Sequence, residues 1–200
     1  VLRSGSPKLL DFDISRDKIP LYSVDASYML TGDIGYIRIS QFSSTTHQEF
    51  NERINKLQQQ GMKKLVIDLR GNPGGYLQAA TSIADELIAG DKLIVYTDGK
   101  TYGRQDYKAS KQGLFEDGEV CVLIDQGSAS ASEILSGAIQ DMDRGTIIGR
   151  TSFGKGLVQE QYELPDNSAI RLTVARYYTP SGRSIQRPYA NGTEDYYNEI

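Results

Sequence analysis

The stretch Lys64-Leu65-Val66-Ile67-Asp68-Leu69-Arg70-Gly71-Asn72-Pro73-Gly74-Gly75 decides how the rest of the chain is read. Lys64 to Leu69 is a continuous, largely apolar run of the kind found in strands buried on both faces. Gly71 to Gly75 break it, and a helix is expected from about Leu77 to Ile88, closed by Gly90. A buried strand, a glycine turn and a helix in that order form part of a strand–helix–strand unit.

The alternation extends both ways from this point. Upstream, Tyr36 to Ser40 reads as a strand. Thr45 or Thr46 can cap a helix whose apolar residues Phe50, Ile54 and Leu57 share one face and which ends at Gly61. Downstream come a strand at Leu93 to Tyr96, a polar Lys/Gly/Tyr-rich excursion from Gly99 to Gly118, and a buried strand from Val120 to Ile124. A helix from Ser130 to Met142 carries Ile134, Leu135, Ala138, Ile139 and Met142, and strand-like runs follow at 146–149, 157–159 and 169–175. The pattern predicts an α/β core of mainly parallel strands with flanking helices over 32–188, plus a small β region built from the two ends of the chain. Residues 1–31 read as mixed, with a strand-like opening, and 189–200 as a polar tail that frays.

Composition narrows the function. A formal charge of −4 gives no basic footprint for nucleic acid. No apolar run approaches the ~18 residues of a membrane span. Cys121 stands alone, in an apolar run where a structural thiol is expected. The single histidine, His47, falls at the polar start of a helix, a surface position. With His47 so placed, no histidine remains as a general base or zinc ligand. The chain opens on Val1-Leu2-Arg3-Ser4-Gly5-Ser6-Pro7, which reads as the interior of a longer polypeptide, so targeting information can lie outside it.

Three segments are loaded for chemistry. Gly74 and Gly75 stand between a strand end and a helix start, where uncovered backbone N–H groups can hold an anion; a plain tight turn uses the same residues. Gln126 to Ile134 alternates serine with alanine, and a serine there projects from a strand end into the field of a helix N-terminus. Ser130-Ala131-Ser132-Glu133 equally fits a capping box, and the segment is not the Gly-x-Ser-x-Gly elbow. The third is Phe153-Gly154-Lys155-Gly156-Leu157-Val158-Gln159. Two glycines weaken a strand but let a lysine reach a cramped site, and no phosphate-binding loop pattern is present. As a general base Lys155 must work uncharged, which burial in an apolar pocket can arrange. Gln159 can hold the amine if the glycines bend the chain between them.

Together these segments resemble the C-terminal processing, or tail-specific, proteases, on a core related to the crotonase and Clp-protease folds. Gly35 to Ile39, Asp68 to Gly75, Gly127 to Ile134, Ser152 to Gln159 and Leu172 to Arg183 carry the resemblance in the family's order. It implies a serine endopeptidase with Ser130 as nucleophile, Lys155 as base and Gln159 as its positioning residue. The N–H groups of Ala131 and Gly75, supported by Gly74, would form the oxyanion hole, and Asp141 matches an acidic position of structural character. It implies no metal or organic cofactor, protein or peptide substrates with unstructured C-termini, and a periplasmic or cell-envelope location. A homo-oligomer or an adaptor partner is compatible with it. Family members usually carry a PDZ domain just upstream, of which 1–31 would hold the end and a linker. Two other readings are a catalytically silent scaffold and a crotonase-type acyl-CoA enzyme with Glu133 or Asp141 as base.

Overall fold

The computed structural model describes residues 1–16 and 22–189. In chain order its elements are β1 (Val24–Thr31), β2 (Ile34–Ile39), α1 (Thr46–Gln59), β3 (Lys64–Asp68), α2 (Leu77–Asp85), β4 (Leu93–Asp98), β5 (Gln105–Lys108), β6 (Glu119–Ile124), α3 (Ala131–Asp141), β7 (Thr146–Gly149), β8 (Leu157–Glu163) and β9 (Ala169–Tyr178). Strand β3 is central in a five-stranded sheet of order β1-β2-β3-β6-β7. Strands β2, β3, β6 and β7 run parallel, and β1 is added antiparallel at the edge.

Register explains which residues make the core. Ile37 pairs with Ile67, and Ile67 with Val122, so one row of branched side chains faces the helices and is sealed from solvent. Phe50, Ile54 and Leu57 of α1, Ile83 of α2, and Leu135 and Ile139 of α3 fill the other side of that core. The opposite row, Tyr36, Val66 and Cys121, is only half-buried, and Ile148 is exposed. The expectation that β3 is buried on both faces is therefore corrected. Both strand faces are apolar, but the helical layer packs against one of them.

A second sheet, order β5-β4-β9-β8, is antiparallel throughout. Strand β4 rests on α2 and α3, and β8 with β9 forms a hairpin whose far half is largely exposed. The subsidiary β region is thus larger than the sequence pattern implies. Strand β4, which the alternation suggests as a member of the parallel sheet, pairs instead with β9 some eighty residues later.

Two further expectations change. Val24–Thr31 pairs with β2 and so belongs to the core sheet rather than to a region ending at 31. Residues 1–16 contain no helix or strand, although Val1 and Leu10 exchange backbone hydrogen bonds. Residues 17–21, which hold the run from Lys18 to Leu21, and the tail from residue 190 onward lie outside the described residues. The excursion 99–118 is tied down. It contributes β5, Ser110 donates to Asp85, the Leu114 amide donates to Glu86, and Arg144 donates to the carbonyl of Phe115. No helix among the described residues is long and apolar enough to cross a membrane.

Candidate active site

The turn between β6 and α3 gives its three serines different tasks. Ser128 is fully buried, and its hydroxyl donates to the Leu69 carbonyl at 2.8 Å. Ser132 is fully buried too, and its hydroxyl donates to the Asn72 carbonyl at 3.0 Å. Both stitch this turn to the loop after β3. Ser130, between them, is half-buried, and its hydroxyl donates to no described residue. It is the N-cap of α3 and forms a capping box with Glu133, as the spacing predicts, while the Glu133 amide makes a 2.9 Å bond to the Ser130 carbonyl.

The Ser130 backbone is at φ 55°, ψ −110°, a region that costs a side-chain-bearing residue about 1–3 kcal/mol. The neighbours that enforce it are visible. Asn72, fully buried, donates from its side chain to the Ile39 carbonyl at 2.8 Å and accepts the Gly74 amide at 2.8 Å. Its carbonyl also receives the Ala129 amide at 2.9 Å. One side chain and its backbone thereby lock three strand ends together. Gly74 (φ 95°) lies flat against the turn, where a Cβ would come 2.8 Å from the Ser130 Cβ and 2.5 Å from the Ala129 carbonyl oxygen. Gly75 (φ 143°) packs as tightly on the other side, with a Cβ 2.0 Å from the Phe42 carbonyl oxygen. The amides of Gly75 and Ala131 donate to nothing among the described residues. Ala131 opens α3 at its positive end, and Gly75 directly follows the glycine that packs on Ser130.

Gly74→Ala should therefore combine backbone strain with a clash against the serine turn. A loss of at least about 2 kcal/mol is expected, read as a melting point lower by about 4 °C or more. An unchanged melting curve would contradict this packing.

Lys155 is brought to the turn through a carboxylate. Glu133, 5% exposed, accepts from the Ser130 amide at 2.8 Å, the Lys155 amide at 2.8 Å, the Gly154 amide at 2.6 Å and the Ser152 hydroxyl at 2.8 Å. The Ser130 and Lys155 amides share one oxygen, so their nitrogens cannot be further apart than twice 2.8 Å. On its other flank the loop is held by Gln186 and Arg187: the Arg187 amide donates to the Gly154 carbonyl and the Gly156 amide to the Gln186 side chain, both at 3.0 Å. The side chain of Lys155 is exposed, not sunk in the apolar pocket that the sequence reasoning asks for. Gln159 is also exposed, just past a register shift in β8, and no hydrogen bond joins it to Lys155. The structure gathers Ser130, Ala131, Gly74, Gly75 and the backbone of Lys155, and joins the side chains of Lys155 and Gln159 by no hydrogen bond.

Residues 33–195 match the sequence profile of peptidase family S41. This chain belongs to that family. It is 43% identical over 188 residues to a carboxy-terminal-processing protease of Bartonella bacilliformis, covering 92% of this chain and 43% of the relative. It is 38% identical over 192 residues to the carboxy-terminal processing protease CtpB of Bacillus subtilis, covering 94% and 39% respectively. Among solved structures, a photosystem II D1 C-terminal processing protease superposes with a TM-score of 0.69 at 37% identity, over 76% of this chain and 39% of that one. The chain spans less than half the length of these relatives.

Within this S41 core the remaining sequence candidates fall away from the serine turn. Asp141 ends α3, ten residues and so roughly 15 Å of helix from its start. It accepts the amide and hydroxyl of Ser181 at 3.0 and 2.6 Å and an ion pair from Arg183. Burial raises its carboxyl, but these donors outweigh burial and hold it below its ordinary range. Asp141 fixes the turn after β9. The crotonase-type reading needs an unengaged carboxylate, and neither Glu133 nor Asp141 is one. His47 is partly exposed and bonds Glu86 at 2.7 Å, where Lys111 and Asn51 also donate. Asp68 is fully buried; burial raises its pKa, yet the Arg70 and Tyr36 hydrogen bonds prevail and bring it to about 2.

Two site residues escaped the sequence reading. Asn72 lies inside the stretch from Asp68 to Gly75 with no role predicted for it, and for Glu133 the sequence predicts a cap or an acyl-CoA base. The signal for Asn72 was a polar side chain between a buried strand and a glycine turn, the position of a loop staple.

Proposed function

We propose that this chain is the catalytic core of a serine endopeptidase that cuts protein substrates near, or from, their C-terminal tails. One observation carries the reading. Of three serines in one turn, only the middle one keeps a hydroxyl that donates to no described residue, and it alone is held in a strained backbone, near two amides that donate to nothing among the described residues. Structural serines have no need of that strain.

In this mechanism uncharged Lys155 takes the Ser130 proton as Oγ bonds to the substrate carbonyl carbon. The carbonyl oxygen becomes an oxyanion held by the Gly75 and Ala131 amides. The C–N bond then breaks, and the lysine returns the proton to the leaving amine. Water, deprotonated by the same lysine, hydrolyses the acyl-enzyme and frees Ser130. Gln159 is assigned to steady the amine once substrate covers the exposed lysine and excludes water from it.

The names of the relatives support action on C-terminal tails, and their greater length leaves room for a tail-capturing domain such as PDZ, for an oligomer interface or for an adaptor. A periplasmic or cell-envelope location follows from the same resemblance. The test is cleavage of a disordered protein with an apolar C-terminus by the full-length polypeptide and by its Ser130→Ala variant. Loss of cleavage with an unchanged melting curve is expected. Equal cleavage by both would overturn the reading, and cleavage by neither would favour a silent binding module.

A further inference from the structure

Glu133 does more than cap a helix. A capping box asks its glutamate for a single bond, to the N-cap amide. Here that bond, from Ser130, is joined by three more from Ser152, Gly154 and Lys155, all on one loop and all at 2.8 Å or less. The carboxylate is buried and faces donors on both oxygens. Apart from it, the only bond from residues 152–155 to the serine turn among the described residues runs from the Phe153 amide to the Ser128 carbonyl.

We propose that Glu133 is a positioning residue of the Ser130/Lys155 centre, whose carboxylate fixes the serine turn and the lysine loop at one separation. The inference rests on the peptidase reading above. A carboxylate suits the task because it is acceptor-only at both oxygens, and all three backbone groups that it meets are donors. A carboxamide of the same shape must turn its NH2 towards one of those amides. The least costly orientation sets NH2 against Ser152, whose hydroxyl can reverse its role, and forfeits the Gly154 amide. The lysine loop then gains freedom at Gly154, the residue before the base. Misplacement of a reacting group by about 1 Å costs about 100-fold in rate.

The test uses the full-length polypeptide and variants Glu133→Gln, Glu133→Ala, Ser152→Ala and Ser130→Ala. Reactive serine is titrated to its endpoint with a fluorophosphonate, and kcat is expressed per titrated site. Glu133→Gln is expected to lower that kcat by about 100-fold with KM held within about 3-fold, and Glu133→Ala to lower it further. A purely structural glutamate would reduce the number of titratable sites and leave kcat per site alone; that result overturns the inference. If Glu133→Gln yields no titratable sites, Ser152→Ala decides: removal of one charge-assisted bond should cost about 10-fold in kcat per site, and a wild-type value overturns the proposal. Ser130→Ala keeps the two ideas apart. Wild-type cleavage by that variant sinks the peptidase reading itself, whereas its inactivity beside an unimpaired Glu133→Gln sinks only the role of Glu133.

Discussion

Lys155→Ala is expected to lower turnover by about 10³–10⁴-fold while moving the melting temperature by no more than about 2 °C. The two halves of that expectation have separate origins. The side chain is exposed and bonds to no described residue, so its removal breaks nothing that holds the fold. Its chemical task cannot be passed on, because the one histidine of the chain is committed to Glu86 and the carboxylates beside the turn are saturated with donors. Lys155→Arg should be as inactive as the alanine variant, since a guanidinium keeps its proton and cannot serve as a base. Rates and melting curves of the two variants check this together. An active Lys155→Arg enzyme would show that the lysine contributes charge, not proton transfer.

Ser130→Gly should abolish cleavage as completely as Ser130→Ala and yet give the more stable protein. Alanine keeps a Cβ in the strained conformation at φ 55°, whereas glycine adopts it freely. Relief of about 1–3 kcal/mol, less the ~0.5–1 kcal/mol that glycine loses through its freer unfolded state, leaves about 1 kcal/mol in favour of glycine at mid-range. For a chain of this size that separates the melting temperatures by roughly 2–4 °C. The comparison with the wild type separates strain from capping: a nucleophile held at a cost to stability predicts that Ser130→Gly melts at or above the wild type, whereas a plain helix cap, for which glycine ranks above alanine but below serine, predicts that it melts below the wild type. Equal or inverted melting points of the glycine and alanine variants would remove strain from the description of the site.

How much of this was legible follows from the range of each interaction. Strand β3, the turn at Gly74 and Gly75, helix α3 and the candidate serine all depend on residues adjacent in sequence, and local pattern suffices for them. The division of labour among Ser128, Ser130 and Ser132 does not. It is set by the carbonyls of Leu69 and Asn72, some sixty residues earlier, which three near-identical serines give no means to foresee. The Glu133 clamp is hidden for the same reason, as its extra donors come from a loop about twenty residues later. The pairing of β4 with β9 is more distant still, and a short apolar run such as Leu93 to Tyr96 fits a parallel or an antiparallel sheet equally well. Apolar alternation in Tyr36, Val66 and Cys121 likewise marks a sheet face without saying whether a layer covers it.

The sharpest measurement is the site and rate of covalent modification by a fluorophosphonate, followed by intact mass and peptide mapping in the wild type, Ser130→Ala and Lys155→Ala. A single adduct on Ser130 is predicted in the wild type, none in Ser130→Ala, and labelling slowed by orders of magnitude in Lys155→Ala. An adduct mapped to Ser128, Ser132 or any other residue, or labelling at the wild-type rate without Lys155, would contradict the Ser130/Lys155 assignment.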